Sequence, residues 1–357
     1  MAHATIRRWH KGAVVSLLLL SSLTAFGSEQ RGSSGRPPAV PNEFLVTPNG
    51  YFHPSCVQHV DSNEVVDTDS KWITKQGFPT RKLACQYSHY DADGREITAK
   101  NTFPLAPPPA QCPNPNSPCG GGGGSAPSSW VIWDSVDLQN PVGTFWQTMI
   151  VPNAPAVQSG QVLFLFPGIQ QSTTSGLTIL QPVLAWNGVW PVNGVNQGYA
   201  NQWEIVSWNC CYNGVEVFST PVAVNPGDIV QGEVQSVNCN GSGYCNFNVD
   251  TYDQVTRRSS YLAATSGHNQ IFSGLFGAVL EVYFVGSCNE YPSNNAIFGY
   301  NPNNSLYGPP FALIESVAGA RWTYTEPSWV TTVNRSTAAP SCGYTSSPYN
   351  GGAQLTY

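Results

Sequence analysis

From Trp130 to the C-terminus, short segments rich in Val, Ile, Trp, Tyr and Phe alternate with clusters of Gly, Asn and Pro. Segments of this composition are typical of β-strands, and the residues between them are typical of turns. Twelve candidate strands lie in this region: Trp130–Asp137, Thr144–Val151, Gln161–Phe166, Leu177–Trp186, Gln202–Trp208, Val215–Val222, Asp228–Val237, Phe247–Tyr252, Ser260–Ala264, Ala278–Val285, Phe311–Ser316 and Arg321–Thr325. Many short strands joined by turns favour a sandwich or a barrel. We therefore predict an all-β fold, a concanavalin-like or jelly-roll β-sandwich, behind a small N-terminal segment.

The sequence divides into four parts by composition. Residues 1–27 begin with positive charges and continue into the apolar run Ala13–Leu20, which is too short to span a bilayer, so we interpret them as an export signal. Residues 28–104 form an N-terminal segment and candidate propeptide, and residues 105–128 are a Pro/Gly-rich linker. Residues 129–357 are the predicted catalytic domain. We expect a secreted, extracellular monomer with no membrane attachment.

The ten cysteines agree with export to an oxidising compartment. Two pairs lie close enough in sequence to close small loops: Cys112 with Cys119, and Cys239 with Cys245. The pairing of the other cysteines cannot be deduced from spacing. For the adjacent Cys210 and Cys211, we expect each to pair elsewhere rather than with its neighbour.

The charged residues are unevenly distributed. Outside the export signal, every lysine precedes residue 101, and the remaining 257 residues contain four arginines against twelve Asp and Glu, a balance of −8. Acid unfolds proteins largely by protonating paired carboxylates, so a chain with few ion pairs loses little at low pH. We interpret this composition as adaptation to acidic surroundings, the alternative being a neutral-pH secreted protein with a polar surface. No basic patch is available for a nucleic acid.

Few chemistries remain open to the predicted catalytic domain. His268 is the only histidine after residue 100, which disfavours a histidine-rich zinc site. A serine–histidine–aspartate triad would need this histidine as its base, and no nucleophile-elbow motif accompanies it. No Gly-rich phosphate loop lies between a strand and a helix. We therefore predict no metal and no cofactor, and catalysis by carboxylates with polar helpers.

Two polar residues lie in the middle of predicted strands. Gln181 is flanked by Ile179 and Val183 at period 2, and Glu281 by Val279 and Tyr283. A charged group among such neighbours is costly unless it is paired or faces a solvated groove. These two residues are the candidate catalytic pair, and the alternative for Glu281 is an exposed position on the outer face of the sheet.

An ordered set of motifs resembles the eqolisin-type glutamic peptidases, which are secreted, acid-active β-sandwich enzymes. Four landmarks agree in order and rough spacing over about residues 160–300: Ile179-Leu180-Gln181, the Trp203–Trp208 strand, Gly227-Asp228-Ile229-Val230, and Glu281 followed by Phe298-Gly299. The sequence departs from the family pattern beside the glutamate, where Leu280 and Val282 replace the usual Ala and Trp.

The resemblance implies a mechanism that is physically reasonable in acid. Glu281 would deprotonate a water that attacks the peptide carbonyl and then pass the proton to the leaving amine. Gln181 would hold that water and donate an N–H to the developing oxyanion. The substrate would be a polypeptide bound in a groove, with Trp203, Trp208 and Glu204 as substrate-binding residues. For at least one of the two tryptophans we favour the alternative, a position in the core of the sandwich.

Two other functions remain open from the sequence. A glycoside hydrolase on a similar sandwich would need two carboxylates facing each other across a groove, and Glu204 and Glu281 are the candidates. A non-catalytic carbohydrate-binding protein would use the same aromatic groove for a polysaccharide. The peptidase interpretation requires Gln181 and Glu281 side by side, the glycosidase requires two facing glutamates, and the binding protein requires neither.

Overall fold

The computed structural model describes residues 35–68, 70–98, 129–137, 141–173, 176–192, 195–299, 311–315, 322–325, 329–333, 339–340, 342–349 and 352–357. These residues are almost all in strands, turns and bends, with short 3₁₀ turns at Pro54–Cys56, Tyr212–Gly214 and Cys288–Glu290. The described part of the chain has no helix that is long and apolar enough to cross a membrane.

The described part of the N-terminal segment contains eight short strands. In chain order they are β1 (Leu45–Thr47), β2 (Gly50–Phe52), β3 (Val57–His59), β4 (Glu64–Val66), β5 (Trp72–Lys75), β6 (Phe78–Lys82), β7 (His89–Tyr90) and β8 (Glu96–Ile97). Strands β1, β2, β7 and β8 form one small sheet, and β4, β5 and β6 form another. The disulfide Cys56–Cys85 closes the stretch of chain that contains β3, β4, β5 and β6.

The rest of the described chain folds into two large sheets and one small hairpin. Its strands are β9 (Trp130–Asp137), β10 (Val142–Ile150), β11 (Val162–Thr173), β12 (Gly176–Trp186), β13 (Pro191–Val192), β14 (Val195–Asn196), β15 (Trp203–Cys210), β16 (Glu216–Phe218), β17 (Val222–Val224), β18 (Ile229–Val237), β19 (Asn246–Asp253), β20 (Arg258–Ser266), β21 (Gly274–Tyr283), β22 (Ala296–Phe298), β23 (Phe311–Glu315), β24 (Trp322–Thr325), β25 (Val330–Val333), β26 (Thr345–Tyr349) and β27 (Gly352–Thr356).

Among the described residues, nine strands form each large sheet. The front sheet has the order β25-β9-β21-β11-β12-β15-β16-β3, with β17 also paired to β15. The back sheet has the order β20-β19-β18-β10-β22-β27-β26, with β23 and β24 attached beside β10. The packing of these two mainly antiparallel sheets against each other confirms the all-β sandwich predicted from the sequence.

The two faces of the front sheet bury different partners, because successive side chains of a strand point to opposite faces. Its inner face packs against the back sheet through an apolar cluster that includes Leu163, Leu165, Leu184, Ile205 and Leu280 together with Met149, Val230 and Phe298. Its outer face packs against the N-terminal segment through a second cluster that includes Phe164, Phe166, Val183, Trp208 and Tyr283 together with Phe44, Val46, Tyr51 and Phe52. The front sheet is therefore buried on both sides.

The N-terminal segment also extends the front sheet. Its strand β3 pairs in parallel with β16, with Glu216 opposite Val57 and Phe218 opposite His59. The backbone N–H of Val60 donates to the carbonyl of Phe218 at 2.8 Å and continues this ladder. The segment thus covers one face and one edge of the same sheet.

The twelve predicted strands are present, most with changed ends. Val215–Val222 is divided into β16 and β17, and β11 extends to Thr173. In this part of the chain, strands β13, β14, β22, β25, β26 and β27 were not predicted. The predicted export signal and the predicted loop between Cys112 and Cys119 lie outside the described residues, as does the predicted linker.

Candidate active site

Gln181 lies in β12 on the outer face of the front sheet and is fully buried. Its Oε1 accepts a hydrogen bond from Asn49 Nδ2 at 3.1 Å. Its Nε2 has no hydrogen-bond partner among the described residues. The Gln181 side chain therefore accepts a hydrogen bond from the N-terminal segment, and its NH₂ group donates to none of the described residues.

The turn between β1 and β2 delivers Asn49 to this position. Gly50 has φ of +124°, and a Cβ there would overlap the carbonyl oxygen of Tyr90, so only glycine fits. Thr47 Oγ1 lies 3.1 Å from the Gly50 carbonyl oxygen and accepts from the Asn49 N–H at 3.3 Å. These short contacts lie within the turn and define its local shape.

Glu281 lies in β21 on the same face and is also fully buried. Its Oε1 accepts from Tyr283 OH at 2.7 Å and from Ser129 Oγ at 2.9 Å, and its Oε2 accepts from Trp130 Nε1 at 3.0 Å. Burial raises the pKa of Glu281 well above its ordinary value, these three hydrogen bonds oppose the rise, and the nearby Glu216 adds to it. The alternative of an exposed Glu281 is wrong.

The register of the front sheet separates Gln181 from Glu281. Phe164 in β11 pairs with Glu281 on one side and with Ala185 on the other, and Gln181 is four residues before Ala185 in β12. In a flat sheet this offset corresponds to roughly 10 Å across the strands and 13 Å along them. No hydrogen bond among the described residues joins the two side chains. They share a face, and each has its own set of partners.

Glu204 lies in the same row as Glu281, three strands away, because Ala185 pairs with it in β15. In a flat sheet this separation is roughly 14 Å, whereas glycosidase carboxyl pairs lie about 5–9.5 Å apart. The Glu204 carboxyl accepts from Trp190 Nε1 at 2.5 Å and from the Tyr199 N–H at 3.1 Å. Burial raises the pKa of Glu204 to about 8, against the effect of these bonds. This register does not favour a facing pair.

The two tryptophans predicted to line a groove lie on opposite faces. Trp208 is on the outer face, with its ring 5.2 Å from that of Phe218 and 4.9 Å from that of Trp190. Trp203 lies in the cluster between the two sheets, and its Nε1 donates to the Asn153 carbonyl at 3.4 Å. The prediction that Trp203 lines the groove is wrong, because residues five apart in a regular strand point to opposite faces.

Glu216 in β16 is a third buried glutamate on the outer face, and the sequence interpretation did not select it. Its Oε1 accepts from Thr47 Oγ1 at 3.0 Å, and its Oε2 has no partner among the described residues. Burial raises the pKa of Glu216 to about 8, although the hydrogen bond from Thr47 and the nearby Asn49 amide oppose the rise. The sequence pattern could have indicated Glu216, since it lies between Val215 and Val217 in a predicted strand. Glu281 likewise lies between two apolar residues in its own strand.

The cysteine pairing corrects one prediction and confirms another. Cys210 and Cys211 are joined to each other, so the expectation that each pairs elsewhere is wrong. Cys288 pairs with Cys342 between distant parts of the chain, and this leaves the adjacent cysteines to each other. The predicted Cys239–Cys245 pair is confirmed. The Cys210, Cys211 and Glu216 donor atoms lie within 4.8 Å of one another, but the two sulfurs are committed to a disulfide and cannot act as thiolate ligands.

Comparison with known proteins identifies only distant similarity. No family model and no curated protein matches the sequence. Among solved structures, scytalido-glutamic peptidase with a peptide-based transition-state analogue aligns over 64% of this chain and 98% of its own, with a TM-score of 0.39 and 14% identity. SCP-B, a member of the eqolisin family of peptidases in complex with the tripeptide Ala-Ile-His, covers the same shares with a TM-score of 0.37 and 12% identity. At these values the function has to be argued from the residues of the chain itself.

Proposed function

We propose that this protein is a secreted, acid-acting peptide hydrolase that is latent while its N-terminal segment covers the outer face of the front sheet. The observation that carries the proposal is the concentration of polar chemistry on that face. An amide, Gln181, and two carboxyl groups, Glu216 and Glu281, are fully buried among aromatic side chains, and the turn that carries Thr47 and Asn49 contacts two of them.

Burying a polar group costs free energy unless hydrogen bonds compensate for the lost water. Buried groups with shifted pKa values are often found at functional sites. Beneath the N-terminal segment, burial raises the pKa of Glu216 to about 8 and that of Glu281 well above its ordinary value, so both carboxyls are protonated in acid. Removing the segment admits water and lets each pKa fall toward its ordinary value of 4.5. A carboxyl group that ionises near that pH can act as a general base in mildly acidic solution.

The chemistry is water activation with amide stabilisation of the oxyanion. A glutamate takes a proton from water, the water oxygen attacks the peptide carbonyl carbon, and the proton then passes to the leaving nitrogen. Gln181 donates its side-chain N–H to the oxyanion, and a neutral amide keeps that role at any pH. The sequence assigns the base to Glu281, and an extended polypeptide would occupy the surface now covered by the N-terminal segment.

The test uses the full chain with a specific protease site inserted in the glycine run at residues 120–124. We expect the intact chain to be inactive on denatured casein and the cut chain to cleave it, with an acidic optimum between pH 2 and 7. Gln181→Ala should lower the activity of the cut chain about 100- to 1000-fold, as expected for the loss of one oxyanion donor. Absence of cleavage by the cut wild type, after release of the segment is verified by gel filtration, would contradict the proposal.

A further inference from the structure

Three buried polar atoms at the outer face have no hydrogen-bond partner among the described residues. They are Gln181 Nε2, Glu216 Oε2 and Asn49 Oδ1, and their side chains are exposed by 0%, 0% and 2%. A buried donor or acceptor without a partner is rare in folded proteins and costs about 1–3 kcal/mol. A donor and two acceptors left without partners are the kind of groups that a small polar molecule such as water would satisfy.

Asn49 brings these groups together. Its Nδ2 donates to Gln181 Oε1 at 3.1 Å, its backbone N–H donates to Thr47 Oγ1 at 3.3 Å, and Thr47 Oγ1 donates to Glu216 Oε1 at 3.0 Å. Gln181 and Glu216 are therefore bridged by one turn of the N-terminal segment, through Asn49 and Thr47. No comparable bridge joins Gln181 to Glu281 among the described residues.

The register supports the same pairing. Trp208 in β15 pairs with Gln181 on one side and with Phe218 on the other. Glu216 is two residues from that row, whereas Glu281 is displaced from it by four. The Gln181 amide is therefore nearer to the strand position of Glu216.

The two glutamates also differ in what their oxygens can still accept. Both oxygens of Glu281 already accept hydrogen bonds, from Ser129 and Tyr283 at Oε1 and from Trp130 at Oε2. Glu216 uses only Oε1, with Thr47, and that donor belongs to the N-terminal segment. A general base needs a free oxygen directed at the water, and removing the segment frees Glu216 further while the partners of Glu281 remain.

We infer that Glu216, rather than Glu281, is the carboxyl group that works with Gln181, and that the point between them holds the attacking water. This assignment rests on the proposed peptide hydrolysis. Glu216 takes one proton from the water, the water oxygen bonds to the carbonyl carbon, and the carbonyl oxygen accepts from Gln181 Nε2. The C–N bond then breaks as Glu216 returns the proton to the nitrogen. Glu281 instead ties Ser129 and Trp130 to β21.

The experiment compares single variants of the full chain that carries the inserted protease site, all in a Phe52→Ala background that weakens the attachment of the N-terminal segment. After cutting, casein cleavage is measured from pH 2 to 7. We expect Glu216→Gln to lower kcat at least about 100-fold, the usual contribution of a general base. Glu281→Gln should stay within about tenfold of the parent, and Glu216→Asp should retain part of the activity with a shifted acidic limb.

Glu233→Gln in β18 serves as the matched control, because this glutamate lies on the back sheet, away from the covered face. Circular dichroism checks that each variant is folded. Cleavage by Glu216→Gln at the parent rate, with loss in Glu281→Gln, overturns the assignment and leaves the proposed hydrolysis intact. A parent that cleaves nothing overturns both.

Discussion

One strand, β15, shows how differently the two faces of the front sheet are built. On the inner face, Ser207 Oγ hydrogen-bonds Thr251 Oγ1 at 2.8 Å, and Asn209 Nδ2 donates to Thr265 Oγ1 at 2.8 Å, so hydroxyls and an amide link the two sheets. On the outer face the same strand carries Glu204, one of three buried glutamates beneath additional chain. The inner links do not titrate, whereas the outer groups depend on protonation and on what covers them.

This difference indicates a division of labour between the faces. The inner interface joins elements of the sandwich to each other and needs to be permanent in acid. The outer interface joins the sandwich to a segment that the proposed function requires to be removed. Buried carboxyls are a poor choice for a permanent interface, because ionising them in place is costly. They are a suitable choice for a surface that becomes active when water returns.

The largest effect on stability is expected from two matched core substitutions, one at each interface of the front sheet. Phe52→Ala removes a fully buried ring from the N-terminal segment and should weaken its attachment by about 3–5 kcal/mol. Leu165→Ala, on the inner face, should cost about 2–5 kcal/mol but act on the sandwich as a whole. Hydrogen exchange should show selective loss of protection in residues 44–97 for Phe52→Ala, and equal loss throughout would contradict the division.

A smaller effect should appear in the pH dependence of the covered face. Because the covered pKa of Glu216 is about 8 and its ordinary value is 4.5, its contribution to stability is fully present below pH 4.5 and is lost as pH rises through 8. Wild-type stability should fall by on the order of 2 kcal/mol between pH 6.5 and 8.5 because of Glu216, and Glu216→Gln should remove this decrease. Chemical denaturation from pH 6.5 to 8.5 measures it.

The pH window is chosen because buried histidines act in the opposite direction. Burial lowers the pKa of His268 and of His89 to about 3, so the stability they contribute is lost as pH falls below their ordinary value of 6.5. Above pH 6.5 both become mainly neutral in the unfolded state as well, and their remaining contribution is the same in the wild type and in Glu216→Gln, so the difference between the two curves reports Glu216. An unchanged slope in Glu216→Gln would show that Glu216 is not protonated under the segment.

The smallest effect should come from an inner hydroxyl. Ser207→Ala removes the bonds from Ser207 Oγ to Thr251 Oγ1 and to the Ser260 carbonyl, and should cost about 1 kcal/mol. Because neither partner titrates, the loss should be the same at pH 4 and pH 8. Thermal unfolding at the two values gives the comparison, and a loss that changes with pH would place a titrating group at the inner interface.

The alternation of apolar residues was sufficient to predict the sandwich, because strand patterning is local and both faces of the front sheet are buried. It also located Gln181 and Glu281 on buried strands. Trp203 and Trp208 are five residues apart in one strand, and this spacing already places them on opposite faces of the sheet. The error about Trp203 was therefore avoidable. Glu216 was harder to interpret, since its significance depends on Asn49 and Thr47, which are more than 160 residues away in the chain.

The pairing of β3 with β16 has a consequence for solubility. Once the N-terminal segment leaves, the edge formed by Glu216–Phe218 presents backbone amide and carbonyl groups that have lost their partners, beside a newly bared aromatic surface. Exposed edges of this kind recruit other strands and promote aggregation. The segment therefore also acts as a built-in solubiliser, and we expect the cut protein to self-associate more readily than the intact chain unless an extended peptide occupies the vacated edge.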